Sequence, residues 1–216
     1  MAAGASLQQL AQLAYDQGVG AESVVFMELQ LSKVEQTFGP DSPVLVPTLA
    51  SLARFYLVVG HNDAAEKILV RIDGLIGKNP PEQTPAYQNV LQLRAQLDAA
   101  HGNYADAEAG FVRAMATATK YNGIQSSAVG TNSFNLALVC LKTDRFQAAI
   151  DHFAKALDIF KRENGDHAPV VGYTLLAAAQ AYSKKGDEAS SKALVAAAAE
   201  ILGPTIAGQR PQPNWL

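Results

Sequence analysis

A repeat of 42 residues is the feature that most limits what this chain can fold into. Alanine recurs at this spacing at five positions, and seven residues after each alanine stands a glycine or an aspartate. The alanines are Ala11, Ala53, Ala95, Ala137 and Ala179, and the residues that follow are Gly18, Gly60, Gly102, Asp144 and Gly186. A fixed period of this length is typical of stacked supersecondary units. Because glycine commonly ends a helix, each unit is predicted to be a pair of helices.

The second helix of each pair shows its own repeating columns, one of small residues and one of large residues. The small column is Ser23, Ala65, Ala107, Ala149 and Ser191, and the large column is Met27, Leu69, Phe111, Phe153 and Val195. Small side chains let two helix backbones approach closely, while the large ones fill the remaining space. Both columns are therefore predicted to be buried between neighbouring helices.

The period sets the boundaries of five predicted repeats, at about 5–42, 43–84, 85–126, 127–168 and 169–202. Ten helices in antiparallel pairs are expected, and the repeats together form one domain over residues 1–202. Pro47 favours a start for the third helix nearer to itself than to Pro43, since proline is tolerated only in a first helical turn. The predicted helices span residues 5–17, 21–37, 43–59, 62–77, 85–101, 104–121, 127–142, 146–162, 169–185 and 187–202.

Composition excludes several functional classes. The formal net charge is −3, with 17 Lys and Arg against 20 Asp and Glu, so we expect no nucleic-acid partner, which requires clustered positive charge. No apolar run reaches the roughly 18 residues that span a bilayer, so we expect no membrane insertion. The expected location is the cytoplasm, or the periplasm or exterior if a signal peptide has been removed.

No catalytic, cofactor-binding or metal-binding constellation is evident, and the chain is predicted not to be an enzyme. The histidines His61, His101, His152 and His167 lack the spacing of a metal-binding pair. Cys140 is the only cysteine, and it falls in the middle of a predicted packed helix. A small core residue is the favoured interpretation of Cys140, rather than a nucleophile.

The sequence around the repeated alanines resembles the tetratricopeptide repeat (TPR). The string from Leu52 to Tyr56 with Gly60 and Ala65, and the string Asn135 to Ala137 with Ala149, Phe153 and Ala156, carry the likeness. The long period and the linkers 38–43 and 164–169 resemble the variant found in kinesin light chains and many bacterial proteins. The resemblance implies an all-α, right-handed superhelical solenoid, whose first helices line a concave groove that binds a peptide or another domain.

Helical spacing places a set of residues beside the alanine column, on the expected groove side of the first helices. Amides in this set could pair with a peptide backbone, and the cations could receive acidic side chains or a carboxylate. The TPR arrangement that holds a terminal carboxylate is not complete here. The groove candidates are Gln8, Gln12, Arg54, Asn89, Gln92, Gln96, Phe134, Asn135, Lys142, Tyr173, Gln180 and Lys184.

The two ends of the array suggest alternatives to a groove-binding scaffold. Phe26 lies on a second helix that is apolar around much of its circumference, which suggests a homodimer formed through the N-terminal helices. The proline-rich tail, 203–216, is predicted to be extended and could cover the last helix or the groove with Trp215. The leading hypothesis is a scaffold for a protein or peptide partner. The alternatives are a structural, self-associating module and a small-ligand sensor or enzyme accessory protein.

The third repeat departs from the regular columns. Arg94 stands where three other repeats have leucine, and Asp98 stands where two have tyrosine. The two residues could pair on one helical face. The favoured interpretation is a slight rotation of the helix that buries Leu93 and Leu97 instead, since buried charge is costly.

Overall fold

The described part of the chain is built from α-helices joined by short turns. In this computed structural model the described residues are 6, 7, 9, 20–77 and 85–203, and none of them lies in a β-strand. The predicted all-α fold class is confirmed. The helices are α1 (Gly20–Phe38), α2 (Val46–Val58), α3 (Asn62–Ile76), α4 (Pro85–Ala100), α5 (Tyr104–Asn122), α6 (Ser127–Lys142), α7 (Phe146–Asn164), α8 (Pro169–Lys185) and α9 (Glu188–Leu202).

The helix boundaries follow the 42-residue period closely. The described ranges hold nine α-helices rather than the ten predicted, because the first predicted helix, 5–17, falls largely outside the described residues. The α-helical part of the next first helix begins at Val46, after a short 3₁₀ turn at Pro43–Leu45. This start confirms the prediction made from Pro47, which stands in the first turn of α2.

The chain divides into two compact units, with the boundary between Ala100 and His101. In the first unit, α2 packs with α1, α3 and α4, and α4 also contacts α3. In the second unit, α6 packs against α5 and α7, and α8 packs against α7 and α9. The boundary falls between α4 and α5, which are the two helices of the predicted third repeat.

The predicted columns form the cores of these units. The repeated alanines Ala53, Ala95, Ala137 and Ala179 are all buried. The small and large columns of the second helices are buried as well, except at Val195, which exposes 38% of its surface. Val195 differs because no helix pair follows α9 in the described chain, so this side of α9 lacks the neighbour that covers the column elsewhere.

In the third repeat the structure agrees with the interpretation that Leu93 and Leu97 are buried instead of Arg94. Leu93 and Leu97 are buried, whereas Arg94 keeps more than a third of its side chain exposed. The Arg94 guanidinium forms an ion pair with Asp73 of α3 and donates a hydrogen bond to the backbone oxygen of Leu69, at 3.2 Å. The charge therefore lies at the surface of the first unit, where water and a carboxylate solvate it.

Candidate functional site

The described residues show no arrangement that suggests catalysis. Within them, no three His, Cys, Asp or Glu side chains come together in a way that could hold a metal ion. Cys140 is buried, with 1% of its surface exposed, which confirms its prediction as a core residue. Burial raises the pKa of the Cys140 thiol, so the reactive thiolate is disfavoured.

No helix of the described ranges combines the length and the apolar character that a membrane-spanning helix needs.

Three of the predicted groove residues lie in the interior, and their prediction as an accessible surface is wrong. Phe134 is 6% exposed, and its ring packs edge-on against Phe153 of α7, with 5.4 Å between the ring centroids. Asn135 is 1% exposed, and Gln96 is 6% exposed. In α6 every residue from Asn132 to Cys140 is buried, so this helix offers almost no open face.

The buried amides of α6 are incompletely satisfied. Asn132 donates from Nδ2 to the backbone oxygen of Ala128 at 2.8 Å, but its Oδ1 atom accepts no hydrogen bond from the described residues. The Nδ2 atom of Asn135 likewise has no acceptor among them. From the sequence we singled out Asn135 but missed Asn132, whose column holds serine, threonine or valine in the other repeats.

The other described groove candidates remain accessible. Gln92 is partly buried. The exposed candidates are Arg54, Asn89, Lys142, Tyr173, Gln180 and Lys184. Gln8, Gln12 and Trp215 lie outside the described residues, so their predicted roles stay predictions.

Helix α8 carries the clearest accessible stripe. Nearly all of its residues between Val171 and Ala181 are buried, yet Tyr173 and Gln180 in this stretch are exposed. Lys184 follows one turn after Gln180 and is exposed too. Spacings of seven and four residues place these three side chains on one helical face. We call Tyr173, Gln180 and Lys184 the α8 stripe. It offers an aromatic ring, an amide and a cation along one line.

Phe26, the predicted self-association residue, is only partly accessible. It packs against the hydrophobic core of the first unit. The neighbouring side chains Val25 and Leu29 on α1 each expose 53% of their surface. Any contact made by this helix would therefore use Val25 and Leu29 more than Phe26.

A polar cluster in the second unit was not anticipated from the sequence. Arg145, in the turn before α7, donates to both carboxylate oxygens of Glu108 on α5, at 3.0 and 2.7 Å. This bidentate pair holds the pKa of Glu108 below its usual value. Burial, together with Lys155, lowers the pKa of nearby His152. All of these residues lie on second helices or in turns, whereas the α8 stripe lies on a first helix.

Comparison with known proteins agrees with the helix pairs described above. A family model of the tetratricopeptide repeat matches residues 87–162 and, overlapping them, 131–202. These ranges together cover more than half of the chain. No curated protein sequence matches the chain significantly.

Several solved structures share the fold at low sequence identity. BtubC (BKLC) from P. vanneervenii is 21% identical with a TM-score of 0.69, and the match covers 96% of this chain and 82% of that one. A Podosopora anserina protein, whose nearly identical TPR-like repeats are assigned to a kinesin light chain, is 19% identical with a TM-score of 0.61. That match covers 93% of this chain and 95% of the other.

A third structure is a Rap protein in complex with the Competence and Sporulation Factor. Its TM-score is 0.77 at 10% identity, and the match covers 94% of this chain but 54% of the Rap protein. Identities at this level show a common fold and not a common partner. The family match, the buried alanine columns and the helix pairs at a period of 42 lead to one conclusion: the chain belongs to the tetratricopeptide repeat family.

Proposed function

We propose that this chain is a protein-interaction scaffold that binds an extended peptide segment of a partner on its first helices, with the α8 stripe at the centre of the contact. The observation that carries the proposal is the exposure of Tyr173, which leaves 43% of its surface open on a helix that is otherwise largely buried. A large aromatic side chain held on a rigid helix is the residue type that dominates binding energy at protein interfaces.

The neighbours of Tyr173 on the stripe suit an extended peptide. The Gln180 amide can both donate and accept a hydrogen bond, so it can pair with a peptide backbone whatever the peptide's side chains. Because α8 is packed on most of its circumference, the stripe is held in place before binding, which lowers the entropy cost of association. The Rap structure, which contains the Competence and Sporulation Factor, supports the fold as one that can hold a ligand.

The proposal is tested first on the α8 stripe. A partner is identified by affinity capture with the full chain, and its affinity is then measured by calorimetry with purified proteins. Tyr173→Ala with Gln180→Ala should weaken binding by about tenfold or more, since truncating a central aromatic contact at a hot spot costs about 2 kcal/mol or more. Helicity by circular dichroism should not change, because both side chains are exposed.

A matched control uses exposed residues of a second helix. Val112→Ala with Arg113→Ala on α5 also removes two exposed side chains from the second unit. This control should bind the partner as the unaltered chain does. Equal affinity of the stripe variant and the control would refute the proposal.

The first unit offers a separate test. Asn89 is exposed and Gln92 is partly buried on α4, and both were predicted to face the peptide. Asn89→Ala with Gln92→Ala should weaken the same partner if the peptide also contacts α4. Unchanged affinity, with a loss in the α8 variant, would restrict the contact to the second unit.

A further inference from the structure

The charges of the second unit are divided between its first and second helices. The first helices α6 and α8 carry Lys142, Lys184 and Lys185 and contain no Asp or Glu. The acidic residues of this unit lie on the second helices and in the turns, where basic residues accompany them. Although the net charge of the whole chain is −3, the two first helices α6 and α8 are cationic.

Two of the three lysines on α6 and α8 have no partner among the described residues. Lys185 donates to Oε1 of Gln147 at 2.6 Å, and Arg145 is held by its bidentate pair with Glu108. Lys142 and Lys184 are both exposed, and neither forms an ion pair with a described residue. They stand 42 residues apart, so they occupy the same place on successive first helices.

The helix dipole explains only part of the arrangement of the two lysines. A cation in the last turn of a helix interacts favourably with the helix dipole, and this would explain either lysine alone. Burial leaves few exposed sites on α6 and α8 at which an acidic residue could stand, yet every charged residue at those exposed sites is a lysine, which the dipole does not require. Uniform positive charge is instead what attracts an anionic partner and disfavours a cationic one.

We infer that the partner segment held by the second unit is acidic, with two carboxylate side chains that reach Lys142 on α6 and Lys184 at the end of the α8 stripe. The inference rests on the proposed function. Equivalent helices of neighbouring pairs lie on the order of 10 Å apart, and an extended chain rises about 3.3 Å per residue. The carboxylates are therefore expected roughly two to four residues apart in the peptide, within the reach of the flexible lysine side chains.

The experiment uses the full chain and three fluorescein-labelled peptide libraries of equal length. One library has Glu at every second position, the second has Gln there, and the third has Lys. Fluorescence anisotropy should show the tightest binding for the Glu library and the weakest for the Lys library. The advantage of Glu over Gln should shrink as the salt concentration rises, because exposed charges are screened.

Substitutions then test which lysines cause the preference for the Glu library. Lys142→Gln with Lys184→Gln should weaken binding of the Glu library by about threefold to tenfold and weaken binding of the Gln library by less, so that the preference for Glu is lost. Lys142→Arg with Lys184→Arg should retain the preference for Glu, because the charge is kept. The control, Lys161→Gln with Lys192→Gln, removes two exposed lysines from the second helices α7 and α9 and should change nothing.

The contrary outcomes are distinct. The inference is overturned if the Glu library binds no better than the Gln library, if it fails to bind at all, or if the Lys142 and Lys184 variant keeps the full preference for Glu. If the acidic preference is absent while the Tyr173 and Gln180 variant still loses its captured partner, only the acidic ligand is refuted and the scaffold function stands. If the stripe variant also binds normally, the proposed function fails as well.

Discussion

Asp144 has a backbone conformation that glycine adopts at the equivalent position of the other described repeats. Its φ angle is 57°, and the equivalent residues Gly60, Gly102 and Gly186 also have positive φ angles. Side chains with a β-carbon are disfavoured in this region, although Asp tolerates it better than most. The turn between α6 and α7 therefore keeps the geometry of the repeat at some cost in free energy.

We predict that Asp144→Gly is more stable than Asp144→Ala by about 1 kcal/mol, because glycine adopts a positive φ without the steric penalty that alanine meets. Chemical denaturation followed by circular dichroism would measure the two free energies of unfolding. Equal stability of the two variants would show that the turn rearranges rather than holding the positive φ.

His152 gives the second unit a dependence on pH. Its pKa lies below the ordinary value of 6.5 because burial and the positive charges of Lys155 and Arg145 disfavour protonation, against the opposing effect of Glu108 and Asp151. The unfolded chain therefore binds a proton more readily than the folded chain does. The contribution of His152 to the free energy of unfolding is fully present above about pH 6.5. It falls as the pH is lowered from there through the folded pKa of His152.

Denaturation of the unaltered chain and of His152→Gln at pH 7.5 and pH 5.5 tests this effect. Glutamine cannot take up a proton, so the loss of free energy of unfolding between the two pH values should be smaller in the variant. If both proteins lose the same amount, other groups determine the dependence on pH.

At the scale of the helix, α6 packs closely on α7 through a glycine. A β-carbon added at Gly130 would lie 2.9 Å from Cε1 of Phe160, 3.0 Å from Cγ2 of Ile159 and 3.3 Å from Cβ of the same isoleucine. Gly172 occupies the same place on α8, 42 residues later, where an added β-carbon would lie 2.6 Å from Cγ of Leu202. The absence of a side chain at this column lets each first helix approach the end of its second helix.

We predict that Gly130→Ala lowers the free energy of unfolding by about 1–3 kcal/mol, the usual effect of overpacking a core. Gly74, on α3, is the matched control, because a β-carbon there would meet no atom within 4 Å. Gly74→Ala should instead stabilise the chain by about 0.5–1 kcal/mol, since alanine is the better helix former. Two variants with the same sign of effect would contradict the close approach at Gly130.

At the scale of the whole molecule, burial is unevenly distributed among the helices. Helix α6 is buried along the whole stretch from Asn132 to Cys140, whereas α9 buries only Ser191 and Ala198. Opening of α6 would expose far more apolar surface than opening of α9, so its local stability should be higher.

Hydrogen exchange measured by mass spectrometry should therefore find amides of α6 protected for at least about tenfold longer than those of α9. Both helices belong to the second unit, so the comparison is internal to it. Equal protection would indicate that the unit opens in a single cooperative step.

The sequence by itself was sufficient for the repeat, the helix boundaries and the buried columns. These features depend on local preferences, such as proline in the first turn of α2 and glycine after most of the first helices, and the period of 42 makes the repeated ones recognisable. Even the departure at Arg94 was interpreted correctly, because the cost of burying charge is a general constraint.

Only the tertiary structure decided which side chains of the first helices remain open. Phe134 and Tyr173 were predicted to face the same groove, yet Phe134 packs on Phe153 while Tyr173 is exposed. A helical period identifies the faces of a helix, but the exposure of each face depends on the neighbours that other parts of the chain bring to it. For α6 those neighbours cover nearly the whole circumference, and for α8 they leave the stripe of Tyr173, Gln180 and Lys184 exposed.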